Sequence, residues 1–317
     1  MVYSFQRRNE GERRVNRRTE LIDLMHDGHA GVIASCMLET DEGIAIVDPG
    51  PTSTIERLSE GLEAFGASLA EVRWLLLTHI HLDHAGASGS LTERFGELEV
   101  IVHQNGARHL LDPSRLMKSA KMVFGPDTDR LWGECLPVDE PRLRVVNEDE
   151  VLSLGGRDIT VTYTPGHAKH HVTYFDSHSG TAFVGDTAGS RVQGTPTVLP
   201  ATPPPDIDIT LLEDSARRIN QFDPDHLFVT HFGWVNDVES HLGGHIERVR
   251  EWTKRVEADL ARGGTDEMLS AEFARDVGAE IRNNLSESDA KALERGAPPK
   301  MSWYGLARYC RKLQQDA

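Results

Sequence analysis

Four potential metal ligands lie within six residues of one another, directly after an apolar run. The run 74–77 (Trp-Leu-Leu-Leu) is followed by Thr-His-Ile-His-Leu-Asp-His, which contains His79, His81, Asp83 and His84. A short apolar run of this kind predicts a buried β-strand, so the four side chains are expected at its end. Three imidazoles and one carboxylate at this density are typical of a site that a divalent metal organises.

The four side chains are not spaced to hold a single ion. An extended segment places His79 and His81 on one side of the chain. A helix that begins near Ala85 places Asp83 and His84 on its first turn, where they face elsewhere. Two metals that share one loop fit this arrangement better than one metal with four ligands from it.

Three more candidate ligands follow apolar or alternating segments further along the chain. His167 comes after the alternating segment 159–163 and a Thr-Pro-Gly turn, Asp186 ends Thr-Ala-Phe-Val-Gly-Asp, and His231 ends Leu-Phe-Val-Thr-His. One histidine after a strand is usually an ordinary loop residue. Four strand ends that carry histidine or aspartate predict that these side chains share one site.

On these residues the chain resembles members of the metallo-β-lactamase superfamily, which includes glyoxalase II and the acyl-homoserine-lactone lactonases. The family's His-x-His-x-Asp-His motif matches residues 79–84, and its later histidine, bridging aspartate and last histidine match His167, Asp186 and His231. Asp48, in Ala-Ile-Val-Asp-Pro-Gly, matches an early aspartate that acts from behind the ligands. The resemblance spans residues 30–235 and implies an α/β fold, an αββα sandwich, here with a helical C-terminal extension.

The resemblance implies two metal ions that share one carboxylate. The ligands of one metal would be His79, His81 and His167, those of the other would be Asp83, His84 and His231, and the bridge would be Asp186. Seven nitrogen and oxygen donors without a thiolate favour two Zn²⁺ ions, with Mn²⁺ or Fe²⁺ as alternatives.

The activity that the resemblance implies is hydrolysis of an ester, thioester or lactone bond by a hydroxide that bridges the metals. Two cations about 3.5–4 Å apart can lower the pKa of a bound water from about 15.7 towards 7. We expect Asp186 to hold this nucleophile and Asp83 to manage its proton. His171 is expected to orient a ligand or to donate a hydrogen bond to the oxyanion.

Two functions of other classes remain open at this point. A mononuclear iron sulfur dioxygenase of the persulfide dioxygenase type would use only the donors His79, His81 or their equivalents, His167 and Asp186. A structural or interaction protein would bind metal without any activity. Within the hydrolases, the segment Thr-Ala-Gly-Ser-Arg after Asp186 lacks the tyrosine that lactonases place against the substrate carbonyl, which disfavours a homoserine lactone.

The chain of 317 residues predicts three parts. Residues 1–20 contain six arginines and form a basic N-terminal arm, residues 21–235 form the catalytic domain, and residues 236–317 form a helical region with apolar residues three, four or seven apart. Residues 105–140 break the alternation of strands and helices, as a helical insertion near the active site would. The larger apolar side chains of this insertion could line a substrate surface or pack in the core. They are Met117, Met122, Phe124 and Trp132.

Charge and composition limit the expected partners. The 34 basic and 50 acidic side chains give a net charge of −16, which repels phosphate backbones, so a small-molecule substrate is expected and a nucleic acid is not. No apolar run reaches the length of a membrane span, so no membrane partner is expected. Three widely spaced cysteines and the absence of a secretion signal predict a cytoplasmic location. The C-terminal helices are expected to cover the active site or to pack in a homodimer.

A few polar side chains outside the ligand set also carry predictions. Asp208 is expected to cap the helix 209–219. His241 and His245 have i, i+4 spacing but no third donor nearby, so we expect them on a helix surface. The helical C-terminal part of glyoxalase II holds glutathione, and basic residues of this chain's C-terminal region could act similarly. A solvated face is the simpler expectation for these residues, which are Lys291, Arg295 and Lys300.

Overall fold

Two six-stranded sheets form the centre of the protein, for which a computed structural model describes residues 17–316. The first sheet follows the order of the chain. Its strands are β1 (Thr19–Asp23), β2 (Ala34–Thr40), β3 (Gly43–Val47), β4 (Val72–Leu76), β5 (Glu99–His103) and β6 (Leu143–Val146). The pairs among β1, β2 and β3 are antiparallel, and those among β3, β4, β5 and β6 are parallel.

The second sheet is built from the strands that follow. These strands are β7 (Val151–Leu154), β8 (Arg157–Tyr163), β9 (Val172–Asp176), β10 (Thr181–Phe183), β11 (Ser190–Arg191), β12 (Val198–Leu199), β13 (His226–Val229) and β14 (Gly233–Val235). The strands β11 and β12 pair with each other as a short ribbon, and the other six form a sheet in the order β14-β13-β10-β9-β8-β7. Within that sheet β10 and β13 are parallel and the other neighbours are antiparallel.

Eleven α-helices accompany these strands within residues 17–316. The helices before the second sheet are α1 (Ile55–Ala64), α2 (Leu82–Ala85), α3 (Ser88–Arg94), α4 (Gln104–Leu111), α5 (Ser114–Phe124) and α6 (Thr128–Trp132). The later helices are α7 (Ile209–Gln221), α8 (Val238–Arg262), α9 (Asp266–Arg282), α10 (Glu287–Gly296) and α11 (Pro299–Asp316). In the part of the chain that the structure describes, no helix combines the length and the apolar composition needed to cross a bilayer.

Apolar side chains join the layers in the order αββα. Leu38 and Leu76 of the first sheet pack against Val161 and Phe183 of the second, so a core lies between the sheets. A second core joins the outer face of the first sheet to α1, α3 and α4, and a third joins the outer face of the second sheet to α7 and the start of α8. Strands that are buried on both faces read as apolar runs, which is why Trp74–Leu77 was recognisable in the sequence. The predicted sandwich is confirmed.

The C-terminal helices form a further core of their own. The strand β14 ends at Val235 and α8 begins at Val238. Large aromatic side chains from three helices, Trp252, Phe273 and Trp303, are buried together there. The predicted helical extension is therefore present, and it packs on the outer face of the second sheet through α8.

The first strand begins within the last two residues of the predicted basic arm. The strand β1 starts at Thr19, Arg17 pairs with Asp41 at 2.5 Å, and Arg18 pairs with Glu39 at 3.1 Å. The buried guanidinium of Arg157 also donates hydrogen bonds to the carbonyl oxygens of residues 17 and 18. The remaining arginines of the arm lie outside the described residues.

Replacing Arg157 by methionine is expected to lower the free energy of unfolding by about 3 kcal/mol, because a buried carboxylate then loses its cation. Both Arg157 and its partner Asp176 are fully buried, and Arg157 also donates to the carbonyl of Glu39. Urea unfolding measures the change. The matched control is Arg57→Met, which removes an exposed pair with Glu60 and is expected to change little. Equal effects of the two substitutions would contradict the prediction.

Candidate metal centre

The predicted ligands converge at one edge of the sandwich, where strands of both sheets end. Residues 79–84 follow β4 and form the start of α2, while His167, Asp186 and His231 follow β8, β10 and β13. These last three strands run in the same direction in the second sheet, so their carboxyl ends meet at one edge. The topology therefore explains why His79 and His231, 152 positions apart in the sequence, lie together.

Backbone hydrogen bonds join the two sheets at this edge. The amide of Val172 donates to the carbonyl oxygen of Thr78 at 2.8 Å, and the amide of Ala34 donates to that of Thr230 at 2.9 Å. These bonds connect the segments that precede His79 and His231, so each ligand leaves a strand end that is fixed from both sheets.

The first donor group contains His79, His81, His167 and Asp186, whose ligand atoms lie within 4.8 Å of one another. The Nδ1 atom of His81 lies 2.9 Å from Nε2 of His79 and 3.0 Å from Nε2 of His167. The Oδ2 atom of Asp186 lies 3.4 Å from Nε2 of His167. Tetrahedral ligands on Zn–N bonds of about 2.0–2.1 Å lie about 3.3–3.4 Å apart, so this group has the size of a metal site.

The second donor group contains Asp83, His84 and His231. The Oδ2 atom of Asp83 lies 3.3 Å from Nε2 of His231 and 3.9 Å from Nε2 of His84. The other oxygen of Asp186, Oδ1, lies 3.2 Å from Nε2 of His84 and 3.5 Å from Nε2 of His231. Asp186 thus directs one carboxylate oxygen at each group, which is the position that the family resemblance implies for a bridging ligand.

Backbone carbonyls determine which ring nitrogen of two histidines is free. Nδ1 of His167 lies 2.7 Å from the carbonyl oxygen of Ala201, and Nδ1 of His231 lies 2.7 Å from that of Val32. Because a carbonyl oxygen only accepts hydrogen bonds, Nδ1 must be protonated in both rings. The lone pair of each neutral imidazole is then on Nε2, the atom that faces the donor groups.

Asp48 lies behind the ligands and supports the centre through hydrogen bonds with Thr78, Thr230 and His84. Its carboxylate accepts hydrogen bonds from the amide and hydroxyl of Thr78, from Thr230 Oγ1 and from His84 Nδ1, at 2.7–2.8 Å. Thr78 Oγ1 therefore donates to Asp48 and can accept from Nδ1 of His79, which lies 3.1 Å away. Asp48 is fully buried and adopts a left-handed φ of 51°. Residues other than glycine seldom adopt this conformation, and those that do are often found at turns or functional sites.

The residues present fit a pair of divalent cations. Three buried atoms of the centre have no hydrogen-bond partner within residues 17–316: Nε2 of His84, Nε2 of His231 and Oδ1 of Asp186. Leaving such atoms unsatisfied costs about 1–3 kcal/mol each. The two donor groups direct all three atoms inwards. Nitrogen and oxygen donors of this kind suit zinc, manganese or iron.

Proton affinities differ between the two donor groups. Burial, together with the neighbouring His167, lowers the pKa of His81 to about 4, and burial lowers that of His79 well below its usual value. Burial alone would also lower the pKa of His84, but the carboxylates of Asp186 and Asp48 raise it overall. The rings of His79 and His81 are therefore neutral and have lone pairs available for a cation, whereas the carboxylates beside His84 favour its protonated form when no cation is bound.

His171 lies behind Asp186 with both of its ring nitrogens engaged. Its Nε2 accepts from the amide of Asp186 at 3.2 Å, and its Nδ1 lies 3.0 Å from Thr164 Oγ1 and 3.1 Å from Thr187 Oγ1. Burial lowers the pKa of this ring well below its usual value. Of the two roles expected for His171, the orientation of a ligand corresponds to this geometry.

Sequence reasoning missed several residues of the centre. Thr78 and Thr230 each precede a ligand histidine, so the repeated Thr-His pair at two strand ends was an available signal. The roles of Val32 and Ala201 could not be recognised in the sequence, because they act through backbone carbonyl oxygens, which every residue type has.

The prediction that His241 and His245 lie on a helix surface is wrong. His245 is buried on α8, where a Cβ on Gly189 would lie 2.7 Å from its Nδ1, and Nε2 of His241 donates to the carbonyl oxygen of Ala188 at 2.9 Å. Both rings therefore pack against the turn that carries Asp186. Burial lowers the pKa of His245 to about 3 and that of His241 to about 4.

The other polar predictions have mixed outcomes. Asp208 caps α7, since its side chain accepts from the amide of Leu211. Lys291 pairs with Glu287 on its own helix, and Lys300 pairs with Glu267 at 2.7 Å. Those two lysines are thus engaged in surface ion pairs, as a solvated face predicts.

Comparison with known proteins identifies the family. Residues 29–232 match the family model described as the metallo-beta-lactamase superfamily. The chain belongs to the metallo-β-lactamase superfamily. This match covers the strands β2 to β13 and every ligand in the two donor groups.

Named relatives in this superfamily are similar over part of their length. The metallo-beta-lactamase fold-containing protein ST1585 of Sulfurisphaera tokodaii is 31% identical over 55% of this chain and 66% of its own. The probable metallo-hydrolase YqjP of Bacillus subtilis is 25% identical over 68% of this chain and 72% of its own. The hydroxyacylglutathione hydrolase GloC of Haemophilus influenzae is 30% identical over 48% of this chain and 64% of its own. The alignments with ST1585 and GloC thus span just under two thirds of those proteins.

Solved structures of the superfamily share the fold. The crystal structure of ST1585 from Sulfolobus tokodaii superposes with a TM-score of 0.67 at 22% identity and covers 91% of this chain and 97% of its own. The metallo-beta-lactamase family protein TTHA1429 of Thermus thermophilus superposes with a TM-score of 0.63 at 20% identity, over 89% of each chain. At these identities the likeness concerns the fold, including the C-terminal helices.

Proposed function

We propose that this protein is a dinuclear metal-dependent hydrolase of ester, thioester or lactone bonds. The observation that carries the proposal is the position of Asp186 between two complete donor groups, with one oxygen directed at each. A mononuclear oxygenase would need only the first group. The names of the relatives, metallo-hydrolase and hydroxyacylglutathione hydrolase, support a hydrolase of this superfamily.

Two divalent cations bound here would acidify a water molecule between them and polarise the carbonyl group of the substrate. The chain itself would hold and orient the reacting groups. Asp186 would accept a hydrogen bond from the nucleophilic water, and its own position is fixed by His171 through the backbone amide. No serine or cysteine nucleophile is needed in this scheme.

Asp83 is the residue that we assign to proton handling. Its side chain is 23% exposed, whereas those of Asp186 and His231 are 6% and 2% exposed. Burial opposes its ionisation, yet the charges of His84 and His231 lower the pKa of its carboxyl group overall. An ionised carboxylate at the open side of the centre is placed to exchange a proton with solvent.

Replacing His84 by alanine tests the two-metal assignment. The variant is expected to bind one metal instead of two and to lose at least about 100-fold in hydrolysis, since the loss of one cation removes several kcal/mol of charge stabilisation. Elemental analysis of the purified protein measures the metals. Chromogenic esters, thioesters and lactones measure turnover. The control is His178→Ala, which changes a histidine just after β9, at the end of the second sheet opposite to the donor groups.

Three outcomes would reject the proposal in different ways. One iron per wild-type chain, with oxygen consumption on a persulfide, would indicate the dioxygenase. Two metals without turnover of any ester-type substrate would indicate a binding protein. Unchanged hydrolysis by His84→Ala would remove the second metal from the reaction.

A further inference from the structure

We propose that His26 and Trp132 form a substrate-recognition wall at the open side of the metal centre, where Nδ1 of His26 accepts a hydrogen bond from a hydroxyl or N–H group of the substrate. The inference rests on the proposed function and narrows it to a substrate class. The preferred substrates carry a planar or aromatic group and a hydrogen-bond donor next to the scissile carbonyl.

The loop that carries His26 is fixed beside the second donor group. The carboxylate of Asp23 accepts from the amides of Met25 and Gly31, each at 2.9 Å, and closes the loop. The loop then continues to Val32, whose carbonyl oxygen accepts from His231. The carbonyl oxygen of Leu131, which lies 2.9 Å from Nε2 of His26, also accepts a hydrogen bond from Ser53 Oγ at 2.6 Å. In the same segment as Ser53, the amide of Gly50 donates to the carbonyl oxygen of His84 at 3.1 Å, so this junction lies against the segment that carries Asp83 and His84.

The hydrogen bond of His26 leaves one ring nitrogen as an acceptor. Nε2 lies 2.9 Å from the carbonyl oxygen of Leu131 and must donate to it. In the neutral ring, Nδ1 then carries the lone pair. Among the residues that the structure places, none forms a hydrogen bond with Nδ1, so it is available to a ligand.

Aromatic packing joins this loop to the insertion. The rings of His26 and Trp132 are stacked, with centroids 5.0 Å apart and planes 20° apart, and Phe124 meets Trp132 edge-on at 5.1 Å. Arg130 forms an ion pair with Asp27 across the same junction. The buried Nε1 of Trp132 has no partner within the described range, which provides a second polar atom for a ligand.

The exposure of the ligands shows where a substrate reaches the centre. The side chains of His79, His84 and His167 are fully buried, whereas Asp83 is 23% exposed and His81 is also only partly buried. A substrate carbonyl therefore approaches between His81 and Asp83, and the His26–Trp132 wall lies on the Asp83 side of this opening. A planar substituent would then lie against the His26–Trp132 wall, where aromatic stacking stabilises it.

Binding of three carboxylates to the zinc-loaded protein tests the inference without requiring turnover. Mandelate carries a phenyl group and a hydroxyl, phenylacetate lacks the hydroxyl, and lactate lacks the phenyl. We expect mandelate to bind at least about 10-fold more tightly than phenylacetate, because a site built to accept a hydroxyl discriminates against its absence. Isothermal titration and quenching of tryptophan fluorescence measure the dissociation constants.

Two variants separate the hydrogen bond from the stacking. His26→Phe keeps a ring against Trp132 and removes the acceptor, so the preference for mandelate over phenylacetate is expected to fall below about 3-fold. Trp132→Leu removes the stacking partner, so both aromatic ligands are expected to weaken by a similar factor while the preference persists. The matched control His178→Phe, at the opposite end of the second sheet, should leave all three constants unchanged. Near-ultraviolet circular dichroism shows whether each variant is folded.

The outcomes distinguish this inference from the proposed function. Equal binding of mandelate and phenylacetate by the wild type would overturn it, as would a preference that survives in folded His26→Phe. If His26→Phe does not fold, a loss of the preference in Trp132→Leu would overturn it instead. A protein that shows the preference but hydrolyses no ester, thioester or lactone, those of mandelate included, would reject the proposed function alone.

Discussion

Replacement of Asp186 by alanine is expected to remove both metals and to lower kcat/KM by about 1000-fold, which corresponds to about 4 kcal/mol of transition-state stabilisation. The reason lies in the two directions of its carboxylate. Oδ1 lies 3.2 Å from Nε2 of His84, and Oδ2 lies 3.4 Å from Nε2 of His167. Alanine removes a donor from each group at once, whereas a change at His84 affects one group.

Metal analysis and steady-state kinetics measure this effect. Asp186→Asn provides a graded comparison, since an amide keeps one oxygen and loses the charge. We expect it to retain some metal and to lie between alanine and the wild type. The control is Asp214→Ala, which removes a half-exposed carboxylate that pairs with Arg217 on a surface helix. Retention of two metals by Asp186→Ala would contradict the bridging position.

The ligands of this centre were predictable because their chemistry is visible in residue type. A histidine or aspartate at the end of an apolar run identifies a strand end with a polar side chain, and the parallel directions of β8, β10 and β13 place such ends together. The supporting acceptors were not predictable. Val32 and Ala201 hold His231 and His167 through carbonyl oxygens, which every residue possesses.

The error at His241 and His245 has a definite physical cause. Their i, i+4 spacing shows that they share one face of α8, but spacing does not show what packs on that face. The turn at residues 185–189 lies there, and its Gly189 leaves room for the ring of His245, since a Cβ at this position would lie 2.7 Å from Nδ1 of that ring. Only the tertiary arrangement distinguishes this face from a solvated one.

The ordered contacts at the end of the predicted N-terminal arm have a similar origin. Arginine-rich composition suggested a solvated segment up to residue 20. Arg157, more than 130 residues away in sequence, donates to the carbonyl oxygens of Arg17 and Arg18 and fixes the start of β1. A long-range contact to backbone atoms therefore outweighs the local composition.

Replacement of Asp48 by alanine is expected to lower the free energy of unfolding of the metal-free protein by about 5 kcal/mol, the upper end of the range for breaking a buried polar pair. Asp48 is fully buried and accepts hydrogen bonds from Thr78, Thr230 and His84. Alanine leaves these donors without an acceptor. It also disfavours the left-handed φ of 51° by about 1–2 kcal/mol.

Asp48→Asn separates the charge from the backbone conformation, because asparagine tolerates a left-handed φ and keeps one acceptor oxygen. We expect asparagine to destabilise the protein less than alanine, and yet to weaken metal binding by about 10–100-fold, as changes behind a ligating histidine typically do. Urea unfolding after chelation measures stability, and competition with a chromogenic chelator measures metal affinity. Wild-type affinity in Asp48→Asn would show that the carboxylate charge does not act on the metal through His84. The hydrogen bond at 2.7 Å would then contribute to folding alone.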